Sequence, residues 1–307
     1  MMTDFIEQFQ SYLVETKQVS QNTLESYMRD VNQYVGFIRS SDSLCLQCEN
    51  TEKSVAGINA FLDHLRSLNK SSATITRMLA SVRSYYQYLM QLGVISSNPA
   101  KQIKLERTKK KIPEILTDIE ILKLLSMPDQ QDAKGIRDKA MLELLYATGI
   151  RVSELINLNV GDIHCIRDLR GEVVCKGTKS ERTVPIHPSA VNALIEYKDN
   201  VRPQLVSAES GDALFVNLNG ARLSRQGFWK IVKTYAEDAK IEKEITPHTL
   251  RHSFALHLYQ NGASLHDLQQ MLGHADISST QMYANMSKKS GCNDVYDRCH
   301  PLAARSK

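Results

Sequence analysis

The sequence predicts a mainly α fold: a helical N-terminal domain, then a mixed α/β domain that is mostly helical with one small β-hairpin. Three observations carry this. Apolar residues recur at helical spacing through the first hundred positions. A basic, proline-bounded stretch divides the chain near residue 100. One later segment, 171–186, has the β-branched runs and the turn of a hairpin. At 307 residues the chain is long enough for two domains, each with its own core. The expected boundaries are 1–98 for the first, 99–113 for a linker and 114–307 for the second.

In the first domain, Ser20 is placed to cap a helix opening at Gln21-Asn22-Thr23, and Leu24, Tyr27, Val31, Tyr34 and Ile38 follow on one face. Ser72 is placed to open another. Ile75, Met78, Leu79, Val82, Tyr86 and Leu89 line its inner face, and Gly93 ends it. Arg77 and Arg83 fall elsewhere on that helix. They stand as candidate phosphate contacts, against a default of a solvated outer face.

The linker runs from Asn98-Pro99-Ala100 through Lys101, Lys104, Arg107, Lys109, Lys110 and Lys111 to Pro113. Like charges at this density repel, which suits an extended segment better than a core element. Two readings stand level: a solvated hinge, or a basic strap along a polyanion, with Lys109, Lys110 and Lys111 as its contacts.

Beyond Leu116 the pattern is helical again. Gly149 is placed to end the apolar helix around Ala140–Tyr146, so that Arg151 stands at the mouth of a new helix with Glu154 one turn on. Taken alone, that pair reads as a surface ion pair of little worth. In the hairpin, Lys176-Gly177-Thr178-Lys179 forms the turn, and Pro185 suits an edge strand. Thr246 and Pro247 have the form of a helix start, which presents His248 and Arg251 on one face near an N-terminus suited to anions. Ser264 to Leu272 forms a short helix stopped by Gly273, leaving His274 on a turn. Ser278-Ser279-Thr280 can cap the helix that bears Tyr283.

Composition sets limits. The apolar fraction of 42% and charged fraction of 23% are those of a folded, water-facing chain, and no apolar run is long enough to span a bilayer. The net charge of +4 is compatible with a nucleic-acid partner without requiring one. Six cysteines are scattered, and Cys45-x-x-Cys48 lacks the two further ligands that zinc needs, so free thiols in a reducing cytoplasm are expected. The N-terminus carries no signal peptide pattern.

Two arginines, two histidines and a tyrosine, in the order Arg151, His248, Arg251, His274, Tyr283, point to a phosphodiester substrate. Arginine presents a planar fork of donors to phosphate oxygens and keeps its charge. Tyrosine is a possible covalent nucleophile. Each residue has a bland alternative: a capped surface helix for His248 and Arg251, a core anchor for Tyr283. Their joint order and spacing are hard to explain as core. The combination implies cutting through a phosphotyrosine with no metal and no nucleotide cofactor.

The strings Ala147-Thr148-Gly149-Ile150-Arg151-Val152-Ser153-Glu154-Leu155, His248-Thr249-Leu250-Arg251-His252-Ser253-Phe254-Ala255 and Leu272-Gly273-His274 to Tyr283 resemble the signature of the tyrosine recombinase (phage integrase) family. The string Asn22–Asp30 and the closing His300-Pro301-Leu302-Ala303 resemble its XerC/XerD branch. The resemblance covers essentially the whole chain. It departs at Cys175, where many relatives have Gly, and at Gly291-Cys292-Asn293 in the tail.

The resemblance implies a C-shaped clamp on duplex DNA, built of a SAM-like core-binding domain and a catalytic domain of the tyrosine recombinase type, with an exchange tail at 287–307. It implies that Tyr283 attacks a phosphate to form a 3′-phosphotyrosyl link, with Arg151 and Arg251 on the non-bridging oxygens. His248 would be the base, His274 a phosphate donor and Lys176 the acid for the leaving oxygen. Lys179 competes for that last role on sequence alone and is also a candidate DNA contact, with Arg77, Arg83 and Lys109–Lys111. The implied partners are a two-arm recombination site and a homo- or hetero-tetramer of recombinases, with no membrane. Xer-type chromosome dimer resolution is the expected function. A mobile-element integrase is the alternative of the same chemistry. A type IB topoisomerase-like enzyme is set back by the tail after Tyr283, and a non-catalytic clamp by the intact set of six residues.

Overall fold

The computed structural model describes residues 2–40, 51–105, 114–166, 171–177, 181–273 and 278–287. The chain divides into two compact units, Met1–Lys111 and Ile112–Lys307.

The first unit is built from α1 (Met2–Glu15), α2 (Gln21–Arg39), α3 (Thr51–Ser67) and α4 (Ser72–Gln91). Ser20 caps α2, its hydroxyl accepting from the Thr23 N–H at 3.4 Å, and Leu24, Val31, Tyr34 and Ile38 are buried beneath it. On α4 the cap is Ser71, not Ser72. Ser71 is extended and accepts from the Thr74 N–H, whereas Ser72 is already helical. Gly93, at φ +72°, closes α4. Its N–H reaches the Met90 carbonyl and the Val94 N–H reaches the Leu89 carbonyl, the two bonds of a Schellman motif. Inside, the hydroxyls of Tyr34 and Tyr86 meet at 2.7 Å, which satisfies both in an apolar surround.

The arginines of α4 are engaged within this unit. Arg77 pairs with the buried carboxylate of Asp30, which also accepts from the Ser81 hydroxyl at 2.8 Å. Arg83 donates through Nε to the Ala100 carbonyl at 3.0 Å and through Nη2 to the Ile103 carbonyl, while Asn98 donates to the Arg83 carbonyl at 3.0 Å. Ala100 and Ile103 are buried in this core. Residues 99–105, the start of the expected linker, are therefore fastened to α4. Two apolar anchors among the lysines and a guanidinium that caps their carbonyls account for the difference. Lys109, Lys110 and Lys111 lie outside the described residues.

The second unit begins with α5 (Asp118–Ser126), α6 (Ala133–Thr148) and α7 (Val152–Asn157). An antiparallel sheet follows, in the order β1 (Ile163–His164), β2 (Gly171–Lys176), β3 (Glu181–Ile186). The hairpin of β2 and β3 is the expected one, with Val173 opposite Val184 and Cys175 opposite Arg182. The two-residue β1 is too short to leave a periodicity. Pro185 sits on β3, an edge strand among the described residues, as a residue without an N–H requires. α8 (Pro188–Ile195) runs through a π-helical turn (Glu196–Val201) into α9 (Arg202–Leu205). Then come α10 (Arg225–Asp238), α11 (Pro247–Gln260), α12 (Leu265–Leu272) and α13 (Ser278–Ser287). α6 lies in the core, with Met141, Leu142, Leu144 and Leu145 fully buried. Among the described residues no helix is long and apolar enough to cross a membrane.

Gly149 does two things at once. Its φ of +59° ends α6, and its Cα lies against α11 so closely that an added Cβ would meet the Phe254 ring at 2.2 Å. Gly149→Ala should therefore destabilise the second unit by about 2–5 kcal/mol, from the left-handed backbone and the overpacking together. Thermal unfolding of the variant checks this, and an unchanged midpoint would show that Phe254 yields without cost.

Candidate active site

Arg151 is the residue that enters α7, two positions beyond the Gly149 break. Its N–H bonds the Glu154 carboxylate at 2.7 Å, its Nη1 donates to Glu154 Oε1 at 3.1 Å and its Nη2 to the Gly273 carbonyl at 2.9 Å. The side chain as a whole stays 40% exposed. Arg251, one turn into α11, is buried. It donates to the Gly149 carbonyl at 2.7 Å and to the Leu272 carbonyl at 2.6 Å. Burial, then the charge of Arg151, pushes its pKa down to about 10, so it stays cationic at neutral pH. Arg182, on β3, donates to both oxygens of Glu154 at 2.7 and 2.9 Å and to the Met271 carbonyl at 2.8 Å.

Three successive carbonyls at the end of α12, those of Met271, Leu272 and Gly273, thus each take a bond from a different arginine. A helix C-terminus leaves its last carbonyls unpaired and carries partial negative charge, so guanidiniums are suited to it. Burial resists ionisation of Glu154. The bonds from Arg182 and the Arg151 backbone, with the charges of both arginines, outweigh it and hold the carboxyl below its usual value. Gly273, at φ +61°, makes the turn. A Cβ there would stand 2.9 Å from the Arg182 guanidinium carbon.

Tyr283 is fully buried on α13 and packs with Phe254, Ala255, Leu256 and Leu272. Its hydroxyl shares a 2.8 Å hydrogen bond with Nδ1 of His252. Burial raises the phenol pKa, while the Arg251 charge pulls it back in part. Burial, His248 and Arg251 bring His252 down to about 4, so its ring is neutral at physiological pH. His248 stands in the first turn of α11, exposed, its ring centroid 6.2 Å from that of His252. Partial desolvation and the charges of Arg251, Arg225 and Arg151 lower its pKa.

Lys176 ends β2. Its side chain is 62% exposed, and its ammonium lies 2.6 Å from the Asp162 carboxylate, whose hydrogen bond and charge raise the lysine pKa. Asp162 is buried and also accepts from the Asn159 N–H at 2.8 Å. His274 and Lys179 lie outside the described residues. Arg151 and Arg251 are thus brought together at the end of α12, and Tyr283 packs against Leu272 of the same helix. Cys165 and Cys175 are free thiols, and burial pushes Cys175 up to about 11. Among the described residues no three or more His, Cys, Asp or Glu are grouped to hold a metal ion.

The sequence profile of the Phage integrase family matches residues 114–290, and that of the Phage integrase N-terminal SAM-like domain matches residues 6–93. The chain belongs to the Phage integrase family. It is a tyrosine recombinase, an enzyme that cleaves and rejoins DNA. Tyrosine recombinase XerD of Oceanobacillus iheyensis is 44% identical over 306 residues, 99% of this chain and 100% of that protein. Tyrosine recombinase XerD of Listeria innocua is 41% identical over 303 residues, 98% of this chain and 100% of that one. These full-length matches place the recombinase with the Xer type. Among solved structures, the XerH site-specific recombinase bound to palindromic difH substrate in a post-cleavage complex has a TM-score of 0.72. It is 19% identical, with 95% of this chain and 94% of that one covered, and the likeness shows a shared fold.

Three residues of this candidate site escaped the sequence reading. His252 had a signal, since it lies four after His248 and so shares its helix face. Arg182 had another: it alternates with Val184 and Ile186, both buried, and a charge on an inward face needs a partner. Asp162 had none, because its lysine partner arrives only through the sheet.

The Asp162–Lys176 pair gives a direct check. In Asp162→Asn the Lys176 ammonium should titrate at lower pH than in the parent, followed by carbon NMR of labelled lysine. An identical titration would show that the pair does not form in solution.

Proposed function

We propose that this recombinase exchanges strands between two-arm sites in duplex DNA, in the service of chromosome dimer resolution, with Tyr283 as nucleophile. The observation that carries the reading is the convergence of Arg151 and Arg251 on the end of α12, beside the helix that bears Tyr283. Uncatalysed cleavage of a phosphate ester is among the slowest reactions, and a pair of fixed guanidiniums can stabilise the charge that develops on the non-bridging oxygens. Arg151 offers a half-buried fork, and Arg251 a buried charge.

The Tyr283 oxygen attacks phosphorus, the bond to the 5′ oxygen breaks, and a 3′-phosphotyrosyl ester remains. The phenol proton passes to a base, assigned to His248 by its place in the family motif. Lys176 gives a proton to the departing 5′ oxygen, and for this it must leave Asp162. His274 donates to the phosphate. Attack by the 5′ hydroxyl of another strand reverses the step. The ester conserves the bond energy, so no nucleotide cofactor is called for. Tyr283 is fully buried with its hydroxyl on His252, so α13 must carry it outward to reach a phosphate.

Residues 1–98 serve as the core-binding domain, the basic run to 113 as a strap, and 114–307 as the catalytic domain. The tail 287–307 docks on a neighbouring recombinase in a homo- or hetero-tetramer. The full-length match to XerD proteins favours this over a mobile-element integrase. Acting on duplex DNA, the enzyme works in the cytoplasm.

Tyr283→Phe keeps the ring and removes only the hydroxyl. On a nicked suicide substrate it should bind the site as the parent does and yield no covalent adduct. An adduct at parental yield would refute the assignment. Replacing Lys109, Lys110 and Lys111 together with Gln should weaken binding to all duplexes about equally. The slope of log affinity against log salt should become shallower, by up to about 0.9 per lost contact. An unchanged slope would return the segment to a solvated hinge.

A further inference from the structure

We propose that Arg182 is a positioning residue of the reaction, setting Arg151 through Glu154 and the turn before His274 through the Met271 carbonyl. The proposal rests on the reading of Arg151 as a phosphate-binding residue.

Arg182 is 13% exposed, and each of its three nitrogens bonds a protein acceptor: Nε the Met271 carbonyl, Nη1 and Nη2 the two oxygens of Glu154. The same two oxygens serve Arg151, Oε1 through its side chain and Oε2 through its backbone. A lone carboxylate turns broadly about its last torsion. The fork from Arg182 fixes its plane, and only then is Oε1 placed for Arg151. Without Arg182 the buried Glu154 would have Arg151 as its remaining cation. The carboxylate could then turn to take both oxygens to that guanidinium, drawing it from the phosphate.

The charges point the same way. One carboxylate shared between two guanidiniums leaves a positive excess beside Arg151, whereas a private Glu154–Arg151 pair would be neutral. Arg182 also stands opposite Cys175, the neighbour of Lys176. Its side chain therefore ties the hairpin that carries the expected acid to the helix end that precedes His274. The close approach of Gly273, where a Cβ would meet the guanidinium at 2.9 Å, shows how tightly that seat is built.

The test uses the full chain on a suicide substrate, with the parent, Arg182→Lys, Arg182→Gln, Glu154→Gln, the double variant Arg182→Gln/Glu154→Gln, and Arg151→Lys as reference. Lysine keeps the charge but cannot present the fork. In Arg182→Lys the single-turnover cleavage rate at saturating enzyme should fall about 10- to 100-fold, as small misplacements do. The DNA-binding midpoint should stay within about twofold of the parent. The double variant should be no slower than the worse single one, since both act on one element. The Arg151 Nε–H resonance should move in Arg182→Lys. Four results overturn the proposal: parental cleavage by Arg182→Lys; a loss confined to DNA affinity, which marks a direct contact; a rate loss that follows the unfolded fraction in a melting curve; and additive losses in the double variant. If Arg151→Lys itself cleaves at the parental rate, the phosphate-binding reading falls and this proposal with it. If Arg151→Lys is impaired and Arg182→Lys is not, the proposal alone falls.

Discussion

The end of α12 is the constraint on which the site depends. A helix stops with carbonyls that lack partners, and here Met271, Leu272 and Gly273 recruit guanidiniums from β3, α11 and α7 in turn. Three elements far apart in sequence are thereby referred to one point. The acceptors are neutral dipoles. They orient Arg151 and Arg251 without cancelling their charge, which carboxylates in the same places would do. Arg251 could not otherwise be both buried and available as a cation, and its lowered pKa of about 10 records the strain of holding charge there.

Tyr283 is held by the opposite logic. Tyr283 and His252 are both neutral at physiological pH, because burial works against phenolate and imidazolium alike. Their 2.8 Å bond is a resting contact between uncharged groups. Arg251 draws the phenol toward ionisation while burial resists it more strongly. The positive charges are gathered at the helix end, and the Tyr283 oxygen is kept apart from water.

Much of this was legible because it is local. The cap at Ser20, the helix start at Thr246 and the breaks at Gly149 and Gly273 are matters of a few adjacent residues, and each is found where spacing put it. Ser71 was missed for Ser72 because two serines in a row offer the same chemistry and only the backbone angle separates them. The hairpin was legible through its β-branched runs, and β1 was not. What was illegible is the pairing of distant polar groups. Arg182 meets Glu154 across 28 positions, Tyr283 meets His252 across 31, and Arg83 reaches the backbone 17 and 20 positions on. Amphipathic spacing says that such residues face inward or outward. It does not say which partner waits there.

Glu154 has a consequence for life at low pH. Its carboxyl is held below the ordinary glutamate value, so the stability that its charge contributes is present above the unfolded-state pKa of about 4.3 and is lost as acidity rises through the lower, folded value. Mild acid therefore leaves it ionised. Once it takes a proton, Arg151, Arg182 and the buried Arg251 face one another with a shared counter-ion gone, and the scaffold that gathers them is pushed apart from within. The strain that Glu154 protonation adds falls on this arginine cluster, while the apolar core of the same unit has no charge to lose.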